Sequence, residues 1–114
     1  MKEEVIKYLQ DILDCINNID EFFISEEKTF KNFSANKLLR QAIERNFEII
    51  GEATGRINKV SPEINIKSNR QIINLRNLII HSYDNINHEV LWAIIINDLP
   101  ELKKETETLI NKFR

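Results

Sequence analysis

Glycine and proline together occupy four of the 114 positions, against roughly 12% in an average protein. Tight turns, hairpins and sheet corners depend on these two residues, one for left-handed backbone and the other for a preset φ. A chain this poor in both cannot readily build a sandwich, a barrel or a collagen-like repeat, so the scarcity points to helices. Length suits one domain spanning residues 1–114, and an apolar share of 42% with twenty isoleucines supplies a core. Sixteen basic residues against 18 acidic ones give a net charge of −2. That balance excludes a general polycationic coat for nucleic acid and leaves room only for a local basic patch.

Apolar periodicity divides the chain. Val5, Leu9, Ile12, Leu13, Ile16, Ile19 and Phe23 step by three or four, which predicts a first helix from about Lys2 to Phe23. Ser25 to Ser34 mixes charges with Phe30 and Phe33 and reads as a connector pinned to the core by two rings. Ser34 is the expected N-cap of a long second helix carrying Leu39, Ala42, Ile43, Phe47, Ile50, Ala53 and Ile57 and ending near Lys59. Gly51 inside it costs about 1 kcal/mol relative to alanine, which points to close packing there. Ser61-Pro62-Glu63 predicts a short turn, and a third main helix spans about Asn69 to Ser82. Asn87 is the expected N-cap of a fourth helix through Val90, Leu91, Ile94 and Ile95. Pro100 then kinks that helix or opens a fifth with Leu102, Leu109, Ile110 and Phe113. The expectation is an all-α, four- to five-helix up-down bundle.

No apolar run approaches the roughly 20 residues needed to cross a bilayer, and Met1 is followed by charge rather than by an export segment. The expected compartment is the cytoplasm, with no membrane association. Cys15 is the one cysteine; it has no local base to activate it and reads as a small core residue.

The third helix carries the chemistry. It is apolar over much of its circumference, and at 100° per residue Arg70, Asn74, Asn77 and His81 fall within about 60° of one another. One reading makes this stripe the solvent-facing edge, with His81 complementing a helix C-terminus. Arg76 departs from the stripe, about 140° around from His81 and about 20° from Tyr83. An arginine on the greasy side reaches for water, for a carboxylate or for something anionic across an interface. A histidine and an arginine suffice for cutting RNA without metal or other cofactor. The imidazole moves protons to and from ribose oxygens, and the guanidinium stabilises charge building on the phosphorane. One copy supplies only one such histidine, and a two-fold dimer would supply two of each group to a single cleft.

Arg76-Asn77-Leu78-Ile79-Ile80-His81-Ser82-Tyr83 resembles the Arg-x4-His-x-Tyr signature of HepT-type toxins, a branch of the HEPN superfamily of small helical ribonucleases. Glu44 to Ala53, His81 to Asp84, Trp92 and Asp98 to Leu102 look like further blocks of that family in family order, so the likeness covers nearly the whole chain. It implies an HEPN-like fold and a homodimeric, metal-independent endoribonuclease toxin of a type VII-like toxin–antitoxin pair. Arg76 and His81 would be catalytic and Asn77 a supporting neighbour. The implied partner is a small MntA-type nucleotidyltransferase antitoxin that silences the enzyme by placing AMP from ATP on Tyr83.

A non-catalytic helical subunit presenting nucleotide or substrate to a nucleotidyltransferase is the alternative function. A metal site from His81, Asp84 and His88 is disfavoured, because the turn after Tyr83 breaks helical register and ligands are scarce. His88 is expected simply to be exposed, Glu52 to be a solvated or ion-paired carboxylate, and Trp92 to be a core or interface anchor.

Overall fold

The N-terminal stripe forms α1 (Lys2–Phe22), in a computed structural model that describes residues 2–67, 70, 72–74 and 87–113. Glu3 and Glu4 occupy its first turn, where carboxylates complement the helix dipole. Val5, Leu9, Ile12, Ile16 and Ile19 are all buried along its inner face, each contributing about 1.5–3 kcal/mol of transfer free energy. That face packs on α3 (Lys37–Val60) and, on its other flank, on α5 (Leu99–Phe113). Ile43, Phe47, Ile50 and Ile57 answer it from α3, and Leu102 and Ile110 from α5. The turn at residues 61–63 and the end of α3 stand where the sequence puts them, with the Ser61 N–H donating to the Ile57 carbonyl. Gly51 is buried in α3, in keeping with close packing there.

Two local readings are corrected. The connector is not simply a loop: Phe30–Ala35 forms a one-and-a-half-turn helix, α2, with Phe33 fully buried and Phe30 at its exposed edge. Thr29 caps it, its Oγ1 accepting from the Asn32 N–H at 3.2 Å. Ser34 therefore lies inside α2 and is not the cap of α3. Asn36 has that role, with Oδ1 accepting from the Leu39 N–H at 3.0 Å from an extended backbone (φ −105°, ψ 99°).

The chain after residue 86 begins with α4 (His88–Ala93), capped by Asn87, whose Oδ1 accepts from Glu89 N–H at 2.7 Å and Val90 N–H at 3.3 Å. A π-helical turn, Ile94–Asp98, joins it to α5, with the Leu99 N–H donating to the Ile94 carbonyl. Pro100 explains the turn. Its ring has no N–H and would collide with the carbonyl four residues earlier, so the helix widens just before it instead of breaking. The described residues make an all-α bundle with no strand among them, as expected. No described helix is long and apolar enough to cross a membrane.

Two interior groups carry predictions. Cys15 is buried on α1, and burial first, then Asp11 and Asp14, push its thiol up to about 11. Less than one part in a thousand is then thiolate at neutral pH. Ellman's reagent is expected to leave the folded protein unlabelled at pH 7.5 and to titrate one thiol per chain in denaturant; rapid native labelling would contradict the burial. Thr106 Oγ1 is buried without a hydrogen-bond partner among the described residues. Thr106→Val keeps the branched shape and removes the desolvated hydroxyl, so it is expected to stabilise by about 1 kcal/mol, read as a rise of a few degrees in melting temperature.

Candidate functional site

Arg76, Asn77, His81 and Tyr83, with most of the expected third helix, lie outside the described residues, as do Asp84 and the Asn85-Ile86 break. What the structure gives is the chain on either side of them. On the approach, Arg70 and residues 72–74 are helical, with Ile72 fully buried and Arg70 and Asn74 exposed. The polar stripe thus starts on the water side and its apolar neighbour in the core. At 100° per residue, the positions in line with Arg70 and Asn74 further along the sequence are Asn77 and His81.

On the exit, the expectation for His88 fails. The ring is half-buried, its Nδ1 lies 3.1 Å from Ser34 Oγ, and it stands edge-on to Phe33 at 6.4 Å and 78°. Ser34 also accepts, through its carbonyl, a hydrogen bond from the Arg40 guanidinium. The cause is α2, which brings Ser34 and Phe33 against the first turn of α4. No local pattern could have signalled the pair, because the partners are 54 residues apart. The half-used imidazole is also the one member of the disfavoured metal trio that is described, and it is held by a hydroxyl.

Trp92 is an anchor, as expected. It is half-buried, with its ring 5.5 Å from Phe33, 6.1 Å from Phe23 and 6.3 Å from Phe30, and Lys28 Nζ sits 5.5 Å above Phe23. These rings lock α2 and the end of α1 onto α4. Glu52 is the solvated carboxylate the sequence suggested, exposed and paired with Arg56 at 3.0 Å, an ion pair worth under about 1 kcal/mol. In the same long helix Glu44 is half-buried, and burial raises its carboxyl above the usual range despite the nearby Arg40. Asn46, further along, is buried and satisfied: its amide donates to the Ala42 carbonyl at 2.8 Å, and its Oδ1 accepts from Asn18 at 3.3 Å.

Comparison with known proteins adds what these flanks cannot. The family model described as "Ribonuclease HepT-like" matches residues 12–109. A Methanocaldococcus jannaschii protein with a provisional RNase name is 37% identical over 110 residues, covering 93% of this chain and 96% of its own. A Thermococcus cleftensis protein provisionally named ribonuclease HepT is 35% identical over 113 residues, covering 96% of this chain and 98% of its own. A third, from Caldanaerobacter subterraneus and again with a provisional RNase name, is 33% identical over 109 residues, 92% of this chain and 93% of its own. No solved structure matches the chain significantly.

Proposed function

That this chain belongs to the HepT-like ribonuclease family is the premise from which we propose that it is a metal-independent endoribonuclease toxin acting as a homodimer. The signature within the matched region supports the reading: Arg76, His81 and Tyr83 keep the Arg-x4-His-x-Tyr spacing. Arg70 and Asn74, which open the polar stripe, are exposed, an arrangement that the solvent-edge reading of the stripe requires equally, so the signature carries the proposal.

In the proposed reaction one His81 imidazole takes the proton of a ribose 2′-hydroxyl, and the freed oxygen attacks the adjacent phosphorus. The bond from phosphorus to the 5′-oxygen breaks, and the imidazolium of the second copy protonates that leaving oxygen. The products are a 2′,3′-cyclic phosphate and a 5′-hydroxyl. Arg76 supplies permanent charge and forked donors to the phosphorane oxygens, and Asn77 supports the pair as a neutral hydrogen-bonding neighbour. Silencing would follow from an MntA-like nucleotidyltransferase. The Tyr83 phenol oxygen, losing its proton, attacks the α-phosphorus of ATP and pyrophosphate leaves. The added nucleotide sets a negative charge against Arg76 and blocks RNA.

The test is direct. Purified protein should cut RNA in excess chelator to ends bearing cyclic phosphate, and co-expression with a cognate nucleotidyltransferase should stop cleavage in wild type but not in Tyr83→Phe. Strong inhibition by chelator would reject the metal-free step. No cleavage at all, with harmless overexpression, would instead support the nucleotide-presenting subunit.

A further inference from the structure

Phe33 is the buried member of a cluster whose other three rings reach the surface. Trp92 and Phe23 are half-buried, and Phe30 is 36% exposed. Phe23 and Phe30 each stand edge-on to Trp92, at 6.1 Å and 6.3 Å. A single exposed ring is ordinary, but lysines accompany these. Lys28 Nζ lies 5.5 Å over the Phe23 ring, and Lys31, the residue after Phe30, is exposed. Neither lysine pairs with a carboxylate among the described residues. Lys28 also borders a cleft of about 120 Å³ where α1, the π turn and the start of α5 meet. Ile95, Leu99 and Pro100 form its apolar floor and Lys103 stands at its rim. Asp20, the carboxylate lining it, is already held by Lys103 at 3.7 Å. The cleft is too small for a drug-sized ligand and has room for one phosphate group. Cations and rings thus form one edge of the molecule, from Lys103 through Lys28 and Phe23 to Trp92 and Phe30.

We infer that this edge binds unpaired RNA apart from the catalytic segment, with a base stacked on Phe30 and phosphates held by Lys28, Lys31 and Lys103. The inference rests on the ribonuclease reading above for the identity of the ligand, and it adds a surface that holds the strand. Aromatic faces flanked by ammonium groups are what a single strand requires, because every base offers a π-face to a ring and the backbone offers a phosphate to each cation. A duplex keeps its bases stacked inside and presents no such face. Charge favours RNA over a protein occupant. A protein would use the rings, but it would leave Lys28 and Lys31 without a function, whereas a polyanion uses both. The chain carries a net charge of −2, so RNA is repelled from much of its surface and approaches where cations are locally free. Glu27, exposed next to Lys28, works against the phosphate there and supplies a reciprocal test.

Fluorescence anisotropy with a labelled 2′-O-methyl RNA of about 12 unpaired nucleotides tests the surface apart from the chemistry, because a methylated ribose lacks the hydroxyl that cleavage needs. Phe30→Leu keeps the apolar bulk and loses the π-face, so it should raise the dissociation constant about 10-fold, while Phe30→Tyr should stay within about 2-fold of wild type. Lys28→Gln and Lys31→Gln should each lower the slope of log affinity against log salt by about 0.7, and Glu27→Gln should strengthen binding. A duplex of the same sequence should bind at least about 10-fold more weakly and ignore Phe30→Leu. These substitutions are at the surface, and the lysine and glutamate variants supply a readout that does not depend on the ring. Unchanged binding in Phe30→Leu, or an unchanged salt slope in both lysine variants, would overturn this surface, as would a wild type that does not bind the methylated strand. Cleavage of unmodified RNA, measured in parallel, decides the ribonuclease reading separately.

Discussion

His81→Ala is expected to lower RNA cleavage at least about 1,000-fold, within the range for removal of a positioned acid–base group, with melting temperature changed by no more than about 2 °C. Arg76→Ala should lower cleavage about 100- to 1,000-fold, because a guanidinium aimed at the phosphorane is worth about as much as one oxyanion-hole donor. The stability readout decides between the two accounts of this helix. If His81 served as a cap whose imidazolium complements a helix end, its loss would cost up to about 2 kcal/mol and a visible drop in melting temperature. If Arg76 snorkelled over apolar surface only to reach a carboxylate, alanine would again cost stability rather than rate. Loss of rate with retained stability supports catalysis, and the reverse pattern returns both residues to structural roles. A third variant, Asn77→Ala, should cost less than either, since a neutral neighbour offers a hydrogen bond without the charge.

The long helices α1 and α3 are legible because each sustains the three-four step over five or more turns, and the end of α3 carries an ordinary signal in Ser61-Pro62; α5 skips the step at Thr106, between Leu102 and Leu109, so the sequence leaves it as one of two outcomes of Pro100. What failed was short-range. The six residues of α2 hold too few apolar positions to establish a period. Thr29 and Asn36 are both residue types that cap, but they bracket so short a stretch that residue type alone does not separate Ser34 from Asn36 as the start of α3. Capping is a competition among neighbouring polar side chains, and the winner is the one whose backbone is extended, here Asn36. The same short helix explains why His88 is not simply exposed, because its partner Ser34 comes from α2. Pro100 flagged a disturbance correctly, but its form, a widened turn, depends on packing of Ile94, Ile95 and Leu99 into the core. Of the candidate site, the structure bears only on the register leading in, where the buried Ile72 and exposed Arg70 and Asn74 agree with the wheel drawn from sequence.

The larger stability effect belongs to Phe33. Its ring is fully buried and meets both Trp92 and His88, so Phe33→Ala is expected to cost about 3–5 kcal/mol, a large part of the 5–15 kcal/mol typical of a domain. In a protein of this size that loss corresponds to a fall of about 15 °C in melting temperature. The reason is not only the cavity. A helix of six residues has no stability of its own, so α2 exists because Phe33 docks it, and the Ser34–His88 hydrogen bond and the Arg40 bond to Ser34 depend on that docking. Removing the ring should therefore release several contacts that truncating a side chain on α1 would leave intact. Phe30→Ala is the internal comparison, because Phe30 sits on the same helix, touches the same Trp92 ring and is exposed; its loss should stay under about 1 kcal/mol. Equal effects from the two substitutions would show that α2 is held by its caps and by Trp92 rather than by the buried ring. A second arm separates docking from volume: Phe33→Leu retains most of the apolar bulk and should lose under about 2 kcal/mol. Ser34→Ala in the Phe33→Ala background should then add little, since its hydrogen bond to His88 requires a docked helix.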